Sequence, residues 1–169
     1  MKILVLGDVM GISGRTALKN NLSKIIEENQ IEFTIINGEN AADDGKGITQ
    51  EIAEEFFSQG IDVITSGNHI WDKLETTTYI QREKRLLRPA NLADGSPGKG
   101  FGIFISKKNK YKVGVINLMG NVFMRKTDDV FKSAGEISKK IILKKNVDFS
   151  IVDFHGEITS EKMAIGHYF

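Results

Sequence analysis

Residues 3–8 read Ile3-Leu4-Val5-Leu6-Gly7-Asp8, an aliphatic run that stops at a glycine and a carboxylate. A continuous apolar run of this length is typical of a strand covered on both faces in a parallel sheet. The sequence therefore predicts that residues 3–6 form the first central strand. The run is too short for the apolar segment of a signal peptide, and no other stretch approaches the ~20 apolar residues of a membrane span. We expect a soluble, cytoplasmic protein.

Strand-like and helix-like patterns alternate after this run. Apolar residues recur at helical spacing over residues 15–29, and again after Thr49, a residue type that caps helices. Strand patterns occur at residues 33–36 and 63–65. Strands that alternate with helices of this length predict right-handed crossovers and a mainly parallel sheet with helices on both faces.

The pattern changes in the second half of the chain. Residues 101–106 and 111–117 are β-rich runs joined by three lysines and an asparagine, which predicts a hairpin with a charged turn. Helical spacing returns at about residues 128–145, a strand pattern follows at 149–152, and a last helix is expected from residue 160. The sequence contains no internal repeat or linker that would mark a second domain.

Composition limits the chemistry that the chain can carry. Its 169 residues include no cysteine, which excludes disulfides, thiolate nucleophiles, zinc fingers and iron–sulfur sites. Any metal must then be held by oxygen and imidazole nitrogen. With 23 basic and 22 acidic residues the net charge is +1, so no bulk attraction to nucleic acid or anionic membrane is expected.

Four predicted strands are followed by residue types that bind metals. The segments are Gly7-Asp8, Gly38-Glu39-Asn40, Gly67-Asn68-His69 and Asp153-Phe154-His155. The carboxyl ends of parallel strands line one crevice of an open α/β sheet. We therefore expect convergence there of five side chains, those of Asp8, Glu39, Asn40, Asn68 and His155. The glycine that precedes three of these groups allows a sharp turn and the close approach of a ligand.

Carboxylate, carboxamide and imidazole groups together suit divalent manganese, iron or zinc. One carboxylate can bridge two such ions about 3.5 to 4 Å apart, the spacing of two-metal hydrolases, and Glu39 is the predicted bridge. Such a pair binds a phosphoryl oxygen and generates hydroxide at neutral pH. Each motif alone also fits a loop cap, a turn or an ordinary histidine, so the metal interpretation depends on the four together.

Five segments of the chain resemble the calcineurin-like metallophosphoesterase superfamily, and within it the YmdB-type group of bacterial cyclic-nucleotide phosphodiesterases. They are Gly7-Asp8-Val9, Asn37-Gly38-Glu39-Asn40-Ala41-Ala42, Thr65-Ser66-Gly67-Asn68-His69, Arg88-Pro89-Ala90-Asn91 and Asp153-Phe154-His155. The Glu-Asn pair before two alanines is specific to the group, since other members carry Gly-Asp there. The resemblance covers residues 1–169. It implies one domain with a layered α/β fold, a mainly parallel sheet, flanking helices and a β-hairpin, incomplete at the C-terminus.

The resemblance also implies a role for each site residue. Two sets of metal ligands are implied, Asp8, Glu39 and Asn40 for one ion and Glu39, Asn68 and His155 for the other. His69 would be the general acid that protonates the leaving oxygen. The implied activity is hydrolysis of phosphodiesters such as 2′,3′-cyclic nucleotides by a metal-activated hydroxide, with a link to RNA.

The chain departs from this group in one respect. Group members carry a later motif in which two nearby histidines complete the two metal sites, whereas the 14 residues after His155 contain no such pair. We therefore expect weaker metal binding, and uncovered apolar surface that favours a homo-oligomer. Two functions stay open: a phosphodiesterase impaired by the loss of those ligands, and an inactive remnant that acts as a binding or regulatory module.

Two other features each have two interpretations. The segment Gly11-Ile12-Ser13-Gly14-Arg15 precedes the first helix and suits either a phosphate-binding loop or a flexible loop with a routine helix start. The rings of Trp71 and Phe101 suit either base stacking beside the crevice or packing in the core and at its rim.

Overall fold

The computed structural model describes residues 1–169 as six strands and five helices. The strands are β1 (Ile3–Asp8), β2 (Phe33–Asn37), β3 (Val63–Thr65), β4 (Phe101–Ile105), β5 (Lys112–Met119) and β6 (Phe149–His155). The helices are α1 (Gly11–Asn29), α2 (Gln50–Ser58), α3 (Thr76–Arg82), α4 (Val130–Ser138) and α5 (Thr159–Tyr168). The α/β class is confirmed.

The first sheet is parallel and has the strand order β1-β2-β3. All residues of the middle strand β2 are buried, as its apolar run predicts. In contrast, β1 lies at an edge of the sheet and the Val5 side chain is 54% exposed. The prediction of a central strand at residues 3–6 is therefore wrong, because an apolar run indicates a strand but does not fix its position in the sheet.

The second sheet has the order β4-β5-β6. The antiparallel pairing of β4 with β5 confirms the hairpin, and its turn at residues 107–110 is exposed. Strand β6 runs parallel to β5, in register from Val113 opposite Phe149 to Met119 opposite His155. His155 is therefore at the carboxyl end of this sheet.

The two sheets pack against each other through one face each, where Phe33, Ile35 and Val63 meet Val113 and Val115. Alternate residues of the strands point the other way and pack under helices. Ile36 and Ile64 join α1 and α2 in one core cluster, whereas Ile116 and Leu118 join α4 and α5 in another. The prediction of helices on both faces of the sheet is therefore wrong, because each sheet carries helices on its outer face only.

The helix boundaries follow from local contacts. The Thr49 hydroxyl accepts a hydrogen bond from the Ile52 N–H at 3.2 Å, which confirms the predicted cap of α2. Helix α1 already begins at Gly11, so residues 11–15 are its first turns. Helix α4 stops at Ser138, well before the predicted end, because the Asn146 carboxamide accepts from the Ile142 N–H and holds a tight turn. None of the five helices is both long and apolar enough to cross a membrane.

A buried carboxamide joins the two sheets next to their carboxyl ends. The Asn117 Oδ1 atom accepts from the Ser66 N–H at 2.9 Å, and its Nδ2 donates to the Ser66 carbonyl at 3.0 Å. Both residues are fully buried. Asn117 thus satisfies two backbone groups just beyond β3 and fixes that strand end beside β5 and β6.

Candidate metal centre

The structure brings the sequence-predicted site residues together at one rim of the molecule. Asp8 is the last residue of β1 and His155 the last of β6. The other members, Glu39, Asn40, Asn68 and His69, lie within four residues of the ends of β2 and β3. The convergence expected from the strand ends is therefore present, although the strands belong to two sheets.

Glu39 lies at the middle of this group. Its side chain is buried, and burial raises the pKa of its carboxyl group above the ordinary value. Its Oε1 atom lies 3.2 Å from His155 Nε2 and 3.4 Å from Asn40 Nδ2, and its Oε2 accepts from the His69 backbone N–H at 3.3 Å. One carboxylate thus contacts residues that follow the strands of the first sheet and a residue of the second.

Two pairs of the predicted ligands are in contact next to Glu39. In one pair, Asn40 Nδ2 donates to Asp8 Oδ2 at 2.8 Å. In the other, His155 Nε2 lies 2.9 Å from Asn68 Oδ1. Asn40 and His155 each also lie within 3.4 Å of Glu39 Oε1.

The glycines that precede the site residues differ in whether the surrounding structure leaves room for a side chain. Neither Gly7, Gly38 nor Gly67 has a positive φ, so no sharp turn requires them. A Cβ on Gly67 would lie 2.5 Å from ring carbons of His155 and even closer to the Glu39 carboxylate. A Cβ on Gly7 would meet nothing within 4 Å. Close approach therefore requires glycine at position 67 but not at position 7.

His69 has a carboxylate partner that the sequence analysis missed. Its Nδ1 atom lies 2.6 Å from Asp72 Oδ2, and Asp72 Oδ1 lies 3.9 Å from Arg125 Nη2. The His69 Nε2 atom makes no hydrogen bond. The three-residue spacing of His69 and Asp72 was the available signal, but the spacing alone does not show that the chain turns back here.

The donor atoms at the rim fit a cation only if the carboxamides take part. No three His, Asp or Glu side chains lie together in a way that could hold a metal ion. However, Asn40 Oδ1 is buried and has no hydrogen-bond partner, while Asn40 Nδ2 faces the carboxylates of Asp8 and Glu39. Rotating this amide by 180° would present its oxygen to the same carboxylates. Oxygen donors with one imidazole suit a hard or borderline divalent cation.

Other candidate features from the sequence have structural roles. Trp71 is partly buried and packs against the first core cluster, and Phe101 packs against the second. Behind the centre, Asn37 Nδ2 lies 3.5 Å from Asp153 Oδ2, a contact between the sheets that the sequence analysis did not predict. The last histidine, His167, is exposed on α5.

Comparison with known proteins identifies a family. A family model described as YmdB-like protein matches residues 4–169. A 2′,3′-cyclic-nucleotide 2′-phosphodiesterase of Bacillus subtilis (strain 168) is 44% identical over 99% of this chain and 62% of its own length.

Two crystal structures share the fold. A hypothetical protein from Thermus thermophilus superposes with a TM-score of 0.88 at 34% identity, over 99% of this chain and 63% of the other. A structure described as a novel phosphatase from Mycoplasma pneumoniae gives 0.87 at 38% identity, over 100% of this chain and 60% of the other. The chain thus spans about three-fifths of the length of the relatives that it matches.

Proposed function

The chain belongs to the YmdB-like protein family, and from that membership we propose that it is a metal-dependent phosphodiesterase. Its proposed metal ligands are Asp8, Glu39, Asn40, Asn68 and His155. The observation that carries the proposal is the position of Glu39, a buried carboxylate whose Oε1 atom contacts both Asn40 and His155. Burying a carboxylate is costly unless a positive charge or several hydrogen bonds compensate for it, and a cation between these groups would do so.

We propose a cyclic phosphodiester of a nucleotide as the substrate. The name of the Bacillus subtilis relative supports this class. When bound, divalent cations supply a Lewis acid for a phosphoryl oxygen and lower the pKa of water. In the reaction a bond forms between a water oxygen and phosphorus while that water releases a proton to solvent, the bond from phosphorus to a ribose oxygen breaks, and that ribose oxygen takes up a proton.

His69 is the proposed donor of that proton. The Asp72 carboxylate, 2.6 Å away, accepts a hydrogen bond from Nδ1 and fixes the orientation of the ring. Nε2, which has no other partner, is then the atom that donates to the leaving oxygen. The remaining residues orient the reacting groups: the Asn68 carboxamide positions His155, and the His69 N–H holds Glu39.

A second candidate function is a binding module without turnover. One observation favours it: acidic and imidazole side chains alone do not form a group of three at the rim. Such a centre depends on two carboxamides, which are weaker ligands than charged groups, so it could bind a phosphate-bearing ligand without reaching the cation occupancy that hydrolysis needs.

The test separates cation binding from turnover. We expect the purified chain to bind Mn²⁺ in calorimetry and to hydrolyse 2′,3′-cyclic AMP. Glu39→Gln should lose both properties, whereas His69→Ala should keep Mn²⁺ binding and lose turnover by roughly 10²- to 10⁴-fold, the usual contribution of a general acid. Asp94→Asn, which alters an exposed carboxylate away from the rim, is the matched control.

Three outcomes decide between the candidates. Mn²⁺ binding with turnover, both sensitive to Glu39→Gln, supports the phosphodiesterase. Mn²⁺ binding without turnover favours the binding module. If wild-type protein binds no Mn²⁺ at millimolar concentration, the proposed centre is wrong for this chain.

A further inference from the structure

The loop after β5 is tied down at both ends beside the candidate centre. At its start, the Gly120 N–H donates to the carbonyl of His155 at 2.9 Å. Across its base, the Asn121 side-chain oxygen accepts from the Thr127 N–H at 2.9 Å and from the Thr127 hydroxyl at 2.8 Å. The residues between positions 121 and 127 therefore form a closed loop with a fixed base.

Helix α5 reinforces this base. The Glu161 carboxylate accepts from the Asn121 N–H at 2.8 Å and from the Val122 N–H at 3.3 Å. A Cβ at Gly120 would overlap the same carboxylate and would displace it from this position. A partly buried carboxylate that accepts hydrogen bonds from two backbone N–H groups restrains the position of that backbone strongly. The base of the loop is thus tied to helix α5 as well as to the second sheet.

At the tip of this loop, Phe123 has an unfavourable backbone conformation. Its backbone φ is +61°, in the left-handed region where a bulky residue is an outlier that costs about 1–2 kcal/mol. Its side chain is 87% exposed, more than any other large hydrophobic residue of the chain. The fold thus presents an aromatic ring to solvent, and strained residues of this kind concentrate at functional sites.

The loop that carries this ring contacts the candidate centre at two points. Gly120 contacts the His155 backbone, and Arg125 Nη2 lies 3.9 Å from the Asp72 carboxylate that holds His69. Phe123 is three residues from Gly120, so their Cα atoms can be no more than about 11 Å apart. The loop therefore spans the space between His155 and Asp72, with Phe123 between its two points of contact.

We propose that Phe123 is a specificity-determining residue on which the base of a nucleotide substrate stacks while the phosphodiester lies at the centre. This inference rests on the proposed function. A stacked base is the ligand that best matches an exposed ring on a loop whose base is tied down, because every base has an aromatic face. Arg125, two residues further along the loop, has a side chain that is 64% exposed and brings a positive charge beside the Asp72 carboxylate.

Kinetics on two cyclic phosphodiesters test the proposal. One is 2′,3′-cyclic AMP, and the other is ethylene phosphate, which has the same five-membered ring but no base. Phe123→Ala should lower kcat/KM for the nucleotide by about 5- to 150-fold, the contribution of one stacked base, through KM. It should leave ethylene phosphate unchanged, and Phe123→Trp should restore the nucleotide reaction. Leu143→Ala, an exposed apolar residue before β6 at the opposite end of the sheet, should affect neither substrate.

A binding measurement separates this inference from the proposed function. Calorimetry with adenosine 3′-monophosphate should show weaker binding to Phe123→Ala than to wild type, whereas inorganic phosphate should bind both equally. If Phe123→Ala slows both cyclic substrates equally, or binds adenosine 3′-monophosphate as wild type does, the stacking role is wrong. If wild type hydrolyses neither substrate, the proposed catalysis fails, and the calorimetry alone still decides whether Phe123 holds a base.

Discussion

Replacing Gly67 by alanine tests the geometry of the candidate centre with a single methyl group. The backbone at this position is compatible with alanine, because its φ is not positive. The added Cβ would nevertheless lie 2.5 Å from ring carbons of His155, whereas ordinary contacts of a Cβ begin at 3.4 Å. Relief of this overlap requires His155, and with it the Glu39 carboxylate, to move by roughly 1 Å.

The size of the effect follows from that displacement. A misplacement of about 1 Å at reacting groups costs roughly 10²-fold in rate. Changes that only displace metal ligands typically lower metal affinity by about 10- to 100-fold. We therefore expect Gly67→Ala to lower kcat/KM for 2′,3′-cyclic AMP about 100-fold and to weaken Mn²⁺ binding about 10-fold or more.

The assays are Mn²⁺ calorimetry and steady-state hydrolysis, with thermal unfolding as a check that the variant is folded. Gly7→Ala is the matched control, since Gly7 also precedes a site residue at a strand end but has open space around it. It should bind Mn²⁺ as wild type does. If Gly67→Ala retains Mn²⁺ affinity within about twofold of wild type, the close packing of Glu39 and His155 described above does not form the metal site.

Two further predictions concern stability. Asn117→Ala leaves the buried N–H and carbonyl of Ser66 unpaired at about 1–3 kcal/mol each, so urea denaturation should show a free energy of unfolding lower by about 2–6 kcal/mol. The control, Asn29→Ala at an exposed position, should change the free energy of unfolding by about 0.5 kcal/mol or less. A loss below about 1 kcal/mol for Asn117→Ala would contradict the structural role given to these two hydrogen bonds. The hydrogen bond from Arg85 holds the pKa of Glu83 below its ordinary value, so this pair stabilises the fold above pH 4.5 and the contribution disappears as the pH falls through the folded-state pKa. Glu83→Gln should therefore cost about 1 kcal/mol or less at pH 7 and progressively less in acid, and a cost that stays constant down to pH 3 would argue against the pairing.

Most strands and helices were predictable because their signals are local. The apolar runs at β2 and β3 and the cap at Thr49 depend on side chains a few residues apart, and the structure confirms them. Helix α3 was missed because its sequence, with three threonines in its first turn, has low helix propensity. Its packing on the core, through buried Tyr79 and Ile80, overrides that propensity.

The arrangement of the sheets was not predictable from the same signals. Successive residues of a strand point to opposite faces of the sheet. Ile35 packs against the second sheet and Ile36 packs against helices, yet both are isoleucine, so the residue type does not show what covers each face. Apolar burial is non-directional, so a sheet face covered by helices and one covered by another sheet give the same pattern. The edge position of β1 could not be predicted for the same reason.

The candidate centre was predictable in part because strand ends are a topological signal. Asp8, Glu39 and His155 could be expected to meet once the strands were assumed to be parallel. The contacts of Asp72 and Asn117 depend on how a loop turns and on which strand end lies beside another, neither of which has a sequence pattern. Their side chains were therefore found only in the structure.

The division of the site between two sheets determines when it can form during translation. The segment from Asp8 to His69 is synthesised early and contains the strands of the first sheet. One face of that sheet packs against the second sheet, whose strands are synthesised later. His155 is the last residue of the last strand, and it reaches Glu39 only when β6 has paired with β5 and the two sheets have docked. Nascent chains that stop before β6 would therefore have an incomplete centre.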